Sequence, residues 1–285
     1  MSNRFEKISR FKDSSFKIFG MFCTFFGLAM LAIFISSIFN EGISRISWDF
    51  ITSYPSRNPA KAGILSALAG TLWIIVITAL AAIPIGIGAA IYLEEFSKKS
   101  RLGKIIEINI TNLAGVPSII YGLLGLEIFG RMMGMGGSIL AGSFTLALLI
   151  LPIIIVATRE AIKAVPSSLR EASYALGASK WQTVKSTVIP SASSGIITGI
   201  IIAISRAIGE AAPLIVVGAL AYVPFVPTSP TSEFTVLPIQ IFNWVSRPQA
   251  AFLVNASAGI IILLGITFLL NAAAVYLRIK RSVKY

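Results

Sequence analysis

Arg206 and Glu210 lie in "AISRAIGEAAPLIVV" (203–217), and they are the only charged side chains between Lys185 and Glu233. A guanidinium inside an apolar span is costly, and such charges usually serve a pathway or a partner. Arginine offers a planar fork of donors that keeps its proton in any environment and fits an oxyanion. A carboxylate four residues on could hold that fork in place and weaken its grip enough to release the anion. The plainer alternative is mutual neutralisation at i,i+4. Arg before Glu is the poorer orientation on a helix, and a buried pair is still expensive to desolvate.

Other chemistries are poorly supplied. The chain has no histidine and one cysteine, Cys23, so an intrachain disulfide is excluded and His-based relays, zinc sites and nucleophile activation lose their usual residue. There is no G-x-S-x-G, H-E-x-x-H or G-x-x-x-x-G-K-[ST] pattern. Without a phosphate-cradling loop the chain cannot hydrolyse a nucleotide, so ATP-driven action needs a separate ATPase. A Ser–Lys enzyme, a scaffold, and a self-contained channel or secondary carrier stay open at this point.

The elements that carry these charges are membrane spans. Of 285 residues, 55% are hydrophobic and 13% charged, and the mean hydropathy is +0.84. Six uncharged or nearly uncharged runs stand out, at 18–40, 62–93, 108–126, 132–158, 188–217 and 248–277. Each approaches or exceeds the roughly 20 residues that cross a bilayer core. The first run is too long for a signal-peptide core and lacks a small-x-small cleavage site. The second is long enough to tilt or bend at Pro84. In the third, Pro117 loosens a helix containing Asn109, Thr111 and Asn112, which either join helices or wall a polar path.

The net charge of +12 follows the membrane, not nucleic acid. Of 24 Lys and Arg, 18 fall in the N-terminus, 94–104, 159–187 and 278–285. This positive-inside bias places both termini in the cytoplasm. No aromatic-interleaved basic patch supports nucleic-acid binding. In the outer segment 218–247, "VLPIQIFNWVSRPQ" (236–249) reads as an interfacial stretch with Trp244 as anchor.

The fifth span is predicted to be one helix with two unlike faces. Ile196, Ile197, Ile200, Ile201, Ile204 and Ile208 share a side suited to lipid, and Ile202 is the exception. Gly195 and Gly199 share the other side with Arg206 and Glu210, where a helix or cavity would lie. Arg206 is about 16 residues past Pro190, roughly 24 Å at ~1.5 Å per residue, beyond the midplane toward the outer side.

The preceding loop reads "REAIKAVPSSLREASYALGASKWQTVKSTVIP" (159–190). Ser168 and Glu171 are spaced as a capping box, Leu169, Ala172 and Leu176 share a face, and Gly177 is placed for a left-handed cap. The spacing Glu171-Ala172-Ser173, three residues, Gly177, nine residues, Thr187-Val188-Ile189-Pro190 resembles the E-A-A-x3-G-x9-I-x-L-P loop of importer permeases of ATP-binding-cassette transporters. Ser173, Thr187 and Ile189 depart from it. With "SRAIGEAAPLIVVGAL", "NLAGVPSIIYGLLGL", "GTLWIIVITALAAIPIGIGAAIYLEEF" and Asn271 before "YLRIKR", the resemblance narrows to the phosphate-specific permeases.

The resemblance implies an all-α integral membrane protein of six transmembrane helices, with the type I ABC importer permease fold. It implies a basic cytoplasmic segment at 1–17, a first transmembrane helix at 18–40, a core permease domain at 62–277 and a basic tail at 278–285. It also implies a coupling helix at about 167–178, with Glu171, Ala172 and Gly177 as coupling residues. Such a permease works in the cytoplasmic membrane of a bacterium or archaeon. Its partners would be a homologous second permease, two ATPase subunits that bind ATP and Mg, an extracytoplasmic phosphate-binding protein and lipid. The permease itself would hold no cofactor, and Arg206 and Glu210 would lie on the substrate pathway. A permease for another oxyanion (molybdate, sulfate or phosphonate) is the alternative.

Overall fold

A computed structural model describes residues 2–281 apart from 98, 99 and 221, with side chains from residue 13 onward except those of 277 and 281. Among the described residues there is no strand, and one isolated antiparallel bridge joins Ser138 to Glu233. The helices are α1 (Ser2–Gly42), α2 (Trp48–Thr52), α3 (Leu65–Ile91), α4 (Arg101–Leu113), α5 (Ser118–Gly125), α6 (Ile139–Lys163), α7 (Ser167–Ala175), α8 (Lys180–Thr183), α9 (Ile189–Gly209), α10 (Ala212–Val217), α11 (Leu237–Val245) and α12 (Ala251–Arg281). Wider π-turns extend α3 over Tyr92–Phe96 and α5 over Leu126–Met132, and join α8 to α9 over Val184–Val188.

Five of these stretches are long and apolar enough to span a membrane, and the α4–α5 pair makes a sixth crossing if counted as one bent span. The described residues are all-α, as the resemblance implies.

Two expected spans are not straight helices. The third run is bent by 108° between α4 and α5. The cause lies in "AGVP": Pro117 bars the helical conformation at Val116, and the chain leaves α4 at Ala114 to restart at Ser118. Asn109 and Thr111 donate to carbonyls of their own helix, at Ile105 and Glu107. Among the described residues they bond to no neighbouring helix.

The fifth run also breaks. α9 stops at Gly209, Glu210 is extended (φ −80°, ψ 124°), and α10 begins two residues later. Pro213 lacks the N–H that would bond the Gly209 carbonyl, and its ring would clash there.

α6 is the central helix, and its flanks hold α3 and α9. Ile74, Ala82, Leu146, Ile150, Ile154, Ala203 and Ala207 form the core where the three meet. A Cβ on Gly195 or Gly199 would stand 2.6 or 2.5 Å from the Cβ of Ala161 or Ala157 on α6. These glycines therefore set the α6–α9 distance, as the small face predicts. The isoleucine side does not face lipid as a block. Ile196 and Ile208 are buried, the other four are half-buried, and Ile202 is exposed.

At the end opposite α7, Phe50, Leu237, Trp244, Phe252 and Ala256 pack together. Trp244 is fully buried beside Phe50, so it is a core residue and not an interfacial anchor. Arg45 closes this end. It donates to Asn255 Oδ1 at 2.9 Å and to the carbonyls of Ala60 and Ala62. Among its described residues, α1 meets the rest only near its end, where Ser257 donates to Glu41. The remaining apolar surface of its described part is exposed.

Candidate functional site

The break in the fifth span carries the two charges first singled out. Arg206 sits in the last turn of α9, where the helix dipole favours a cation. Glu210 is the residue that leaves the helix, and its N–H bonds the Ala207 carbonyl. Arg206 Nε lies 3.6 Å from Glu210 Oε1, with the side chains 45% and 19% exposed. That separation is an ion pair but too long for a hydrogen bond. Among the described residues the Arg206 guanidinium makes no hydrogen bond, so its fork of donors is unspent.

The break is bordered by a small pocket and by the third span. Irregular backbone at membrane depth is tolerated only where protein buries it or a cavity borders it. Glu210 lines a small pocket with Thr71, Ile74, Leu146 and Val236. The hydroxyl of Tyr121 on α5 donates to the Leu113 carbonyl across the α4–α5 bend at 2.8 Å. Gly122, one residue on, packs against Pro213 of α10. The bent third span and the broken fifth span thus touch beside the charges. Arg206, Ile202 and Gly209 form an open face, with nothing within 4 Å of a Cβ placed on Gly209. The other edge of α9 is tied to α12: Ser205 Oγ lies 2.6 Å from Asn271 Oδ1, and Arg278 donates to Thr198.

The second group lies at the far end of α9. Pro166 occupies the N-cap of α7, which puts Ser167 at its first position and Ser168 inside the turn. The Ser168–Glu171 capping box is therefore not made. A capping box does form at Ser179 and Gln182, before α8. Helix α7 ends at Ala175, and Gly177 takes φ +83°. The Ala178 N–H then reaches back to the Ser173 carbonyl, closing the helix end. Glu171 and Ala172 are exposed, as are Tyr174, Trp181 and above all Leu176, at 89%. Leu169 is half-buried, so it does not share the open face with Leu176.

The two groups are not brought together. Arg206 and Glu210 sit at one end of α9; Glu171, Ala172 and Gly177 sit before its other end. Sequence reasoning missed Arg170, which anchors α7. Its guanidinium donates to Glu95 Oε1 at 3.0 and 3.2 Å and to the carbonyls of Val165 and Ile162. It also missed Arg159, which pairs with Glu94 at 3.4 Å and Glu107 at 2.9 Å. The signal available was two adjacent acids closing an apolar span in "YLEEF".

A bent span, a broken span with an open charged face and an exposed loop helix mark a membrane-spanning protein with features at both ends of α9. Residues 82–282 match the family described as binding-protein-dependent transport system inner membrane component. The chain is 35% identical over 269 residues to the probable ABC transporter permease protein YqgI of Bacillus subtilis, covering 89% of this chain and 92% of that one. It is 36% identical over 259 residues to the phosphate transport system permease protein PstA of Yersinia pestis, covering 90% and 86%. An inward-facing structure of the MetNI methionine ABC transporter superposes with a TM-score of 0.61 at 18% identity, over 78% of this chain and 95% of that one. At that identity the likeness concerns the fold alone.

The chain belongs to the binding-protein-dependent inner membrane component family and is a permease subunit of an ABC importer. In that family the permease is the membrane-embedded transport component, and the ATPase is a separate subunit.

Proposed function

We propose that this permease passes inorganic phosphate across the cytoplasmic membrane, with Arg206 as an anion contact on the path. The observation that carries this reading is the unspent guanidinium at the break in the fifth span, held by Glu210 at 3.6 Å without a hydrogen bond. Tetrahedral oxyanions match a planar donor fork, and a desolvated charge-assisted contact is strong. Glu210 keeps that contact from becoming a trap, because it competes for the same cation. The similarity to permeases named for phosphate transport supports the choice of anion.

In this reading the open face of α9 meets a homologous second permease, and a phosphate-binding protein delivers substrate from outside. Both termini and α7 lie in the cytoplasm, in keeping with the clustered Lys and Arg at that end. Two ATPase subunits receive α7 through Glu171, Ala172, Leu176 and the turn at Gly177.

The test is reconstitution of the chain with the second permease, the ATPase and the binding protein in proteoliposomes. Loaded phosphate-binding protein is expected to stimulate ATP hydrolysis and phosphate uptake together. Stimulation by molybdate, sulfate or a phosphonate with its own binding protein, and none by phosphate, would reassign the substrate. Uptake by the chain alone without ATP would sink the importer reading.

A further inference from the structure

We infer that Glu94 and Glu95 form a two-armed joint that carries movement of α7 into α3, α6 and α4, with Arg170 and Arg159 as its positioning residues. This rests on the reading of α7 as the ATPase docking helix.

The joint sits on the π-turn Tyr92–Phe96, which closes α3. Consecutive residues on a helix point in different directions, and here each acid takes a different arginine. Glu95 accepts two bonds from Arg170, which stands in the fourth position of α7. The same guanidinium donates to the Ile162 and Val165 carbonyls at the end of α6. Arg170 therefore fixes α7 to α3 and α6 at once. Glu94 faces Arg159 of α6, whose terminal nitrogen also reaches Glu107 of α4 at 2.9 Å. Two arginines thus link four helices in one path: α7, the α3 turn, α6 and α4.

Burial separates this path from ordinary surface pairing. The side chains of Glu94, Glu95, Arg159 and Arg170 are 3%, 9%, 10% and 19% exposed. The pairs Lys163–Glu160 and Arg131–Glu127 are exposed and stay within one helix, where they connect nothing. A buried pair resists rearrangement because separating its members strands a charge.

The receiving element is free to respond. Helix α4 is exposed along most of its length. Among the described residues, Glu107 makes its one ion pair to another helix, Ile110 packs against Ala90, Leu93 and Ile155, and Tyr121 bonds its far end. A pull on Glu107 acts on one arm of the 108° bend, whose other arm carries Gly122, packed against Pro213 just past the Arg206–Glu210 break. The path thus runs from the loop helix to the neighbourhood of the candidate anion contact.

The experiment uses the assembled importer in proteoliposomes with phosphate-loaded binding protein, and reads ATP hydrolysed per phosphate taken up. A merely structural role would lower assembly or total activity without moving this ratio. Glu95→Gln and Glu107→Gln are expected to raise it about two- to thirtyfold, the range seen when coupling networks are cut, with the ATPase still copurifying. Leu176→Asp, on the exposed face of the loop helix, is expected to release the ATPase. If it does and both glutamine variants keep the parent ratio, the joint is overturned while docking stands. If Leu176→Asp leaves ATPase binding and uptake intact, the docking reading falls and takes the joint with it. Should Glu95→Gln fail to assemble, Glu107→Gln alone decides, because its side chain is 41% exposed and its loss leaves the α7 anchor in place.

Discussion

Arg206 and Glu210 face each other across a helix end, not along a helix: the guanidinium belongs to the last turn of α9, and the carboxylate belongs to the extended residue that follows it. The pair keeps its i,i+4 spacing but loses the geometry that such spacing implies on an unbroken helix. A 3.6 Å contact leaves the cation oriented and under-bonded, which suits a group that must take up and release an anion.

Arg206→Lys keeps the charge and removes the fork. Phosphate uptake per assembled importer is expected to fall about ten- to a hundredfold, the equivalent of one lost charged hydrogen bond. Arg206→Ala is expected to fall at least as far. Uptake of radiolabelled phosphate, normalised to copurified ATPase, checks both. Unchanged uptake in Arg206→Ala would remove this residue from the path.

Gly199 should be intolerant of any side chain, whereas Gly209 should accept one. A Cβ at 199 would stand 2.5 Å from the Cβ of Ala157, and one at 209 meets nothing within 4 Å. Gly199→Ala is expected to destabilise the chain by about 1–3 kcal/mol through overpacking. Gly209→Ala is expected to be neutral or to stabilise by up to about 1 kcal/mol. Thermal unfolding of the two purified variants in detergent gives the comparison.

These contrasts show what could be read before the fold was known. The spans, the small face at Gly195 and Gly199 and the left-handed turn at Gly177 depend on local spacing, and all three are present in the structure. The break at Glu210 was also local: "GEAAP" places a proline four residues after a glycine in an apolar run, but the hydropathy of the run conceals it. The sidedness of the isoleucines was misread because helix periodicity reports faces and not neighbours. α9 is flanked by α6 and α12, so most of those residues are at least half-covered. Trp244 looked interfacial for the same reason, since only tertiary packing puts Phe50 against it. The partners of Arg159 and Arg170 lie 52 to 75 residues away in sequence, and no local pattern selects them.

Gly177→Ala forces an L-residue to φ +83°, at a cost of about 1–2 kcal/mol. The space around it is open, so the penalty is conformational and not steric. The bonds from the Leu176, Gly177 and Ala178 amides to Ala172, Tyr174 and Ser173 should loosen. Faster amide hydrogen exchange over 173–178, with the spans unaffected, is the expected result. Gly177→Asn should lose less, because Asn tolerates the left-handed region better.

Thr71 holds the start of α11 from another helix. Its hydroxyl donates to the Ala67 carbonyl at 2.7 Å and accepts from the Leu237 N–H at 2.9 Å. Val236, at the N-cap of α11, supplies no side-chain acceptor, and Pro238 follows directly. The Leu237 N–H is an orphan that its own segment does not satisfy, and Thr71 is buried at 3% exposure. Thr71→Val preserves the shape and removes both bonds. It is expected to cost about 1–3 kcal/mol, the penalty of a buried unpaired donor. Thr71→Ser loses a methyl but keeps the hydroxyl, so it should protect the Leu237 amide from exchange where valine does not. If valine and serine exchange alike at that amide, the cap is not what seats α11 against α3.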